Sequence, residues 1–352
     1  MLITYFRSSS YNTHDDCEQR YYLEYNLGWK GASNIKADKG TIVHKVLEIL
    51  AAIKLGQQNN QKSIVDDVVG KVSTKTFDID KLVDKVFSYY SEQFAQHPWS
   101  SKDLVDCRDW ANKARALDNG MFDPLKRNIV APELHFDFEI EQPWAKYSYN
   151  VTDSSGIQNR LDGHLALKGT IDLVTDVGNN MYEIVDWKTG RRLNWATGEE
   201  KSYEKLQQDP QLRLYHYAAS KVFPNIDQIM ITIFFINDGG PFSIIYSKED
   251  LPKTEEMIRK KFELIRNVQV PRLSRSWKCG KLCHFGKNTF AGTNIKPIQE
   301  FRSGQVTPKG QLMTMCEQIK FEISRKKMMT VNQEYTAPEH NVGKYKAPGE
   351  IG

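Results

Sequence analysis

The chain has 352 residues, 40% of them hydrophobic and 26% charged, with a formal net charge of +4. These are the proportions of an ordinary soluble globular protein, long enough for one large domain or two modest ones. No stretch approaches the roughly 18–20 apolar residues of a membrane span, and Met1-Leu2-Ile3-Thr4-Tyr5-Phe6 lacks the basic start and apolar run of a signal peptide. A cytoplasmic location is expected, the host cytoplasm if the source is viral. There the five cysteines serve better as ligands or core residues than as disulfides. Charge is unevenly spread: Lys253–Gly352 carries 19 Lys/Arg against 9 Asp/Glu, and the preceding part 29 against 35. A basic region beside a carboxylate-rich one suits a phosphate polymer, and it equally describes a solvated helix with a basic tail.

In chain order, the aromatic-rich first thirty residues contain a predicted helix from about Thr13 to Tyr25. A second helix is predicted with Asp38 as its cap, Val43, Val46, Leu47 and Leu50 as its apolar stripe, and Gly56 as its end. From Gly56 to about Asn128 the signals are helical, best over Asp80–Phe94 and Ser101–Asp118. Glu133–Ile140 alternates as a strand with one apolar face. Gly169–Leu173 and Glu183–Lys188 read as strands, with Asp176-Val177-Gly178-Asn179-Asn180 as the turn between them. A polar stretch, Arg191–Lys205, precedes a helix started by Asp209-Pro210 and running to about Val222. Ile229–Ile236 reads as a central strand, Phe242–Tyr246 as an edge strand, and Lys248–Asn267 as a charged helix. Beyond Lys326 the composition is that of a disordered tail. No repeat is visible.

Chemistry concentrates on the hairpin. Side chains two apart in a strand point the same way, so Tyr182, Ile184, Asp186 and Lys188 share a face. With the turn about Asn179, Asp172 falls opposite or nearly opposite Asp186, within cross-strand reach. Two carboxylates and an ammonium at the end of an apolar strand are costly unless they bind something, and a divalent cation carrying a phosphate is the economical partner. A lone Asp-Xaa-Lys triplet marks only a solvated strand edge; its pairing with Gly-Xaa-Ile-Asp fourteen residues earlier is what makes it informative.

Four motifs occur in order: Gly40-Thr41-Ile42-Val43-His44, Gly169-Thr170-Ile171-Asp172, Asp186-Trp187-Lys188 and Gln211-Leu212-Arg213-Leu214-Tyr215. With them the chain resembles the PD-(D/E)XK nuclease superfamily, and within it the RecB-like and CRISPR-associated exonuclease-like group, over about Cys17 to Cys283. The resemblance implies an α/β, restriction-endonuclease-like fold: a mixed central sheet flanked by helices, with an α-helical insertion and a C-terminal Cys-containing extension. It divides the chain into 1–55, the N-terminal part of the nuclease core with the His motif; 56–130, the insertion; 131–270, the core; 271–325, the basic Cys-containing extension; and 326–352, the tail.

The same resemblance implies a metal-dependent DNA exonuclease of replication, recombination or repair, using Mg²⁺ or Mn²⁺. Asp172, Asp186, His44 and the Trp187 carbonyl would be metal ligands, Lys188 the group that orients water or stabilises the growing charge, and Gln211 and Tyr215 a pair that holds the substrate backbone or supports Lys188. A Glu on the strand before the hairpin should complete the site. Glu133 and Glu139 both qualify by parity, Glu133 being favoured, and Glu48 on the helix is a further candidate. Cys17, Cys279, Cys283 and Cys316 match the layout of an iron–sulfur cluster, although with looser spacing than the family's; zinc or unliganded core thiols remain alternatives, as does His284 for Cys316. Cys107 reads as structural. Two other functions stay open: a structure-specific endonuclease of the same fold, and a non-cutting module that binds single-stranded DNA or a helicase. No helicase P-loop is present, so unwinding would come from a partner helicase or recombination protein.

Overall fold

The computed structural model describes residues 1–26, 33–152, 158–192 and 202–287. In chain order the elements are β1 (Tyr5–Phe6), α1 (Ser8–Asp16), α2 (Glu18–Tyr21), α3 (Ile35–Gln58), β2 (Ser63–Asp66), β3 (Gly70–Ser73), α4 (Ile79–Gln93), α5 (Ser101–Gly120), β4 (Ile129–Glu139), β5 (Lys146–Thr152) and β6 (Gln158–His164). They continue with β7 (Ala166–Gly178), β8 (Met181–Lys188), α6 (Tyr203–Gln207), α7 (Pro210–Val222), β9 (Gln228–Phe235), β10 (Gly240–Ser247), α8 (Leu251–Arg266), α9 (Trp277–Lys281) and α10 (His284–Lys287). The principal sheet has the order β1-β7-β8-β9-β10, with β4 also pairing on β7. Parallel and antiparallel pairs coexist in it, so the fold is the mixed α/β class that the sequence predicts. Among the described residues no helix is long and apolar enough to cross a membrane.

The chain forms two compact units, each discontinuous in sequence: Met1–Ala32 with Asp137–Gly169 and Glu256–Gly352, and Ser33–Phe136 with Thr170–Glu255. In the first, β1 pairs with Ala166 and Leu167, and β5 and β6 form a hairpin that the sequence pattern does not announce. The expected Thr13–Tyr25 helix is broken at Cys17, whose extended backbone (φ −167°) separates α1 from α2; a π-turn over Tyr22–Asn26 follows. The Met1 ammonium donates to the Val268 carbonyl at 2.6 Å. Lys261 on α8 reaches Asp15 at 2.5 Å, and Arg272 pairs with Glu18.

The second unit holds the hairpin. Strands β7 and β8 turn through Gly178, Asn179 and Asn180, all at positive φ, the conformation that Gly and Asn tolerate best. In β8 Ile184, Val185 and Trp187 are all buried, as expected of a strand covered on both faces. Its neighbours are β7 and β9, and β10 closes the edge. Helix α7 begins as its sequence predicts, Asp209 accepting the Gln211 N–H at 3.0 Å ahead of Pro210.

Helix α3 differs from expectation at both ends. Asn34, not Asp38, is its cap, accepting the Ala37 N–H at 3.0 Å. Asp38 is buried in the first turn between the Ser33 hydroxyl (2.6 Å) and His97 Nε2 (2.5 Å). Nor does Gly56 end the helix: a Cβ there would lie 2.9 Å from Thr74 Cγ2 and 3.0 Å from Ile64 Cγ2, so the glycine admits the β2–β3 hairpin. That hairpin lies inside the segment read as helical. Helices α4 and α5 match their predicted spans within a residue or two; α5 loses helical geometry at Leu117 and turns left-handed at Asp118 and Asn119.

Candidate active site

The β7–β8 ladder ends at the pair Leu173–Val185. One residue further on each strand stand Asp172 and Asp186, where the strands part. The Asp172 carboxylate fills this fork, Oδ2 accepting the Trp187 N–H at 2.9 Å and lying 3.4 Å from His44 Nδ1. Asp186 is buried. Its Oδ1 accepts from the Tyr215 hydroxyl (3.0 Å) and Gln211 Nε2 (3.1 Å), and its Oδ2 lies 2.6 Å from Lys188 Nζ. Asp172, His44 and Lys188 keep about a sixth to a third of their side-chain surface exposed, so the group opens to solvent on the side away from Asp186.

Each motif has a local reason to be as it is. Gly40 brings α3 against the end of β8: a Cβ there would stand 2.8 Å from Thr189 Oγ1. One turn later on the same helix, His44 is thereby carried to Asp172. Gln211 and Tyr215 are four apart on α7, hence on one face, and Gln211 donates to the Tyr215 oxygen at 2.8 Å. Both then converge on Asp186, so the pair fixes a carboxylate and not Lys188. The contact that ties Trp187 to the fork is its N–H; its ring is buried, edge-on to His44.

Glu133, the favoured carboxylate of the strand before the hairpin, stands beside Glu48. It sits inside β4 with φ +44°, a left-handed conformation rare for such a residue. Burial switches phase there, from Ile129 and Ala131 to Leu134 and Phe136, which is the signature of a bulge. Parity therefore does not carry across residue 133. Glu139, its alternative, pairs instead with His164 at 3.6 Å in the first unit. Glu133 shares a hydrogen bond with Glu48, one turn beyond His44, and Glu48 in turn contacts Lys45 at 2.7 Å. Burial and the hydrogen bond from Glu133 push the Glu48 carboxyl up to about 8.

The electrostatics of the fork are those of crowded charge. Burial, and beyond it the Asp172 charge, raise the Asp186 carboxyl above the ordinary carboxylate range despite Lys188. Burial works against ionised Asp172 too, but His44, Lys188 and the Trp187 N–H outweigh it and hold its pKa low. Lys188 is raised, the two aspartates overcoming the burial that opposes its charge, and His44 is raised because Asp172 does the same for the imidazole. Burial and Asp186 hold the Tyr215 phenol well above its usual value.

Among the described residues no three His, Cys, Asp or Glu side chains converge as a ready-made metal cage. The donor chemistry nevertheless fits a hard divalent cation, because Mg²⁺ is typically held by one or two carboxylates plus waters and substrate phosphates. Lys188 and His44 neutralise the two carboxylates where a cation would do so.

A family model of the PD-(D/E)XK nuclease superfamily matches residues 8–287. The chain belongs to that superfamily. No curated protein matches the sequence. Among solved structures, the nuclease is similar to a candidate exonuclease from Eubacterium rectale, at TM-score 0.37 and 10% identity, covering 86% of this chain and 94% of that one.

Cys17, Cys279 and Cys283 belong to the first unit and Cys107 to the second. Cys17 and Cys283 are buried, and Cys279 is partly exposed. The Cys17 thiol lies 3.9 Å from the Arg272 carbonyl and the Cys279 thiol 3.6 Å from that of Ser274. Gly286 is needed where it is: a Cβ there would strike the Cys279 carbonyl. These three thiols do not by themselves form a ligand set, and Cys316 lies outside the described residues. Cys107 is buried, and burial pushes its thiol up to about 12, which suits an inert core residue.

Proposed function

We propose that this nuclease is a divalent-metal-dependent DNA exonuclease acting in replication, recombination or repair. The observation that carries the reading is the fork: two opposed aspartates with an ammonium 2.6 Å from one and an imidazole 3.4 Å from the other. Asp172 and Asp186 would hold the cation, with His44, Glu133 and the Trp187 carbonyl as further candidate donors. Bound there, Mg²⁺ or Mn²⁺ supplies a Lewis acid and eases deprotonation of water. Imidazole in the set favours Mn²⁺ over Mg²⁺.

The chain's own groups do the rest. Gln211 and Tyr215 lock the orientation of Asp186 through Oδ1, so that Oδ2, here 2.6 Å from the Lys188 ammonium, is the oxygen a cation would take. Lys188 orients the attacking water and offsets the charge that grows on the phosphoryl oxygens. His44 orders Asp172 from the opposite helix. The Gln-x-x-x-Tyr pair favours the exonuclease group over structure-specific endonucleases, by analogy.

The test is digestion of end-labelled linear DNA beside covalently closed circular DNA, each with Mg²⁺ or Mn²⁺ and with EDTA. The expected result is metal-dependent release of label and an untouched circle. Cutting of the circle would make it an endonuclease, and no cutting in any metal would leave a binding module. For Cys17, Cys279, Cys283 and Cys316, a visible spectrum of anaerobically purified protein decides: broad absorbance supports a [4Fe–4S] cluster, and its absence together with a zinc content near one supports zinc.

A further inference from the structure

The sheet face that carries Asp186 and Lys188 continues to the edge of the second unit. In the parallel β8–β9 register Asp186 pairs with Ile233 and Lys188 with Phe235; in the β9–β10 register Ile233 pairs with Phe242. Paired residues share a face. Asp186, Ile233 and Phe242 thus form one row across three strands, and Phe242 stands on the catalytic face about 10 Å from Asp186 by strand spacing. The turn beside it touches the catalytic strand directly: the Ile236 N–H donates to the Lys188 carbonyl at 2.9 Å, and Asn237 Nδ2 to that of Thr189 at 3.4 Å.

On Phe242 a stack is built. The Arg192 guanidinium lies over its ring, 4.5 Å from the centroid. The Arg192 backbone N–H donates to Asp238 Oδ2 at 2.7 Å. Gly239, at φ +90°, leaves room for it, since a Cβ there would come within 3.3 Å of the guanidinium carbon. On α6 Tyr203 tilts toward the same ring, centroids 6.4 Å apart, its hydroxyl donating to the Ser243 carbonyl at 3.2 Å. Tyr203 is 42% exposed. Phe242 also meets the buried Phe235 ring edge-on, centroids 6.4 Å apart, so the core holds it in place, and the proposed hydrolysis does not use the assembly.

Resting on the nuclease reading above, we propose that Arg192, Phe242 and Tyr203 form a stacking platform for unpaired bases of the DNA strand being cut. Every base has a π-face, so aromatic rings and an arginine plane hold single strands without regard to sequence. Here they do so in the same row as Asp186 and two strands across, where a frayed end would be gripped as its backbone crosses the fork. The ligand class is therefore single-stranded DNA, recognised by its base faces as well as by its phosphates.

The experiment is equilibrium binding of the full chain, in EDTA so that nothing is cut, to a fluorescent thymidine oligonucleotide and to an abasic strand of equal length. Wild type should prefer the base-bearing strand by about tenfold or more. Tyr203→Leu and Phe242→Leu should each shrink that preference while binding the abasic strand as wild type does; Arg192→Gln should shrink it too, with a smaller loss on the abasic strand from the missing charge. Tyr203 is surface-exposed, so its variant stays informative if Phe242→Leu fails to fold. Equal wild-type affinity for the two strands, or an undiminished preference in Tyr203→Leu and Arg192→Gln, overturns the platform. Cleavage is scored separately: a wild type that cuts DNA without the preference sinks only the platform, and one with the preference that cuts nothing sinks only the nuclease reading.

Discussion

Strand β8 carries two buried acids on opposite faces, and they are treated in opposite ways. Glu183 faces one side, where Arg127 closes on its carboxylate, the Thr232 hydroxyl donates at 2.5 Å, and Arg127 also donates to Thr175 at 2.9 Å. That charge is paired and its lone pairs are filled. Three residues on, Asp186 faces the other side, where a second carboxylate stands across the fork and the balancing groups are Lys188 and the His44 imidazole, both with other work to do. The first arrangement is how a fold accommodates a buried charge. The second balances two carboxylates with groups that the proposed chemistry itself needs, and such perturbed clusters are found where a ligand binds.

The largest effects should come from breaking the second arrangement. Asp172→Asn, Asp186→Asn and Lys188→Ala should each lower cleavage by at least about 10²–10³-fold, measured as initial rates on linear DNA. Their stability should behave unlike their activity. The Asp186 pKa is raised by burial and Asp172, so on folding it holds its proton to higher pH than in the unfolded chain. By linkage, wild-type stability from this group is full below the ordinary carboxylate pKa and is lost as pH rises through the raised one. Asn does not ionise. Asp186→Asn should therefore melt with wild type in acid and progressively above it toward neutrality; a variant that melts lower at pH 7 would mean that the carboxylate is structural.

The opposite outcome is expected across the strand. Arg127→Met leaves Glu183 buried without its guanidinium, which should cost about 3–5 kcal/mol in urea unfolding. Cleavage per folded molecule should stay near wild type. Were Arg127→Met catalytically dead while fully folded, the two faces would not be separable in this way.

How far the sequence announces this contrast depends on the range of the interactions. The Asp172–Asp186 opposition is nearly legible because it is local: the Gly178-Asn179-Asn180 turn pairs Gly178 with Met181, and the bulge between Asp176 and Gly178, which moves the register by one, puts Asp172 opposite Asp186. The Asp209-Pro210 start of α7 is legible for the same reason. Asn34 against Asp38 is not, because both are good caps and only His97, 59 residues away, decides that Asp38 is buried. The bulge at Glu133 is invisible for a related reason: alternation resumes after it, so residues 133–140 read correctly in isolation and only the phase of residues 129–131 betrays the switch. The Arg127–Glu183 pair joins residues 56 apart and has no motif. The Arg192–Phe242 stack needs the register of three strands before it can be seen.

The comparison is sharpened by adding what the fork lacks. Mn²⁺ at about a hundredfold over its dissociation constant should stabilise wild type by about 2.7 kcal/mol, read as a rise in melting temperature that EDTA reverses. Asp172→Asn should lose most of that rise, whereas Arg127→Met, although less stable at the start, should keep it in full. Equal stabilisation of both variants would place the cation somewhere other than the fork.

The smallest effect concerns how closely α3 is drawn to the fork. Replacing a helical glycine by alanine usually gains up to about 1 kcal/mol, but at Gly40 the new Cβ would stand 2.8 Å from Thr189 Oγ1, a side-chain atom just past Lys188. Gly40→Ala should therefore forfeit that gain and shift His44 away from Asp172, lowering cleavage several-fold with little change in melting temperature. Removing the obstacle as well, in Gly40→Ala/Thr189→Ala, should recover the helix gain as a higher melting temperature and restore part of the activity, a coupling expected only of residues in contact. If the two changes merely add, the glycine serves the helix and not the approach, and His44 owes its place to something else.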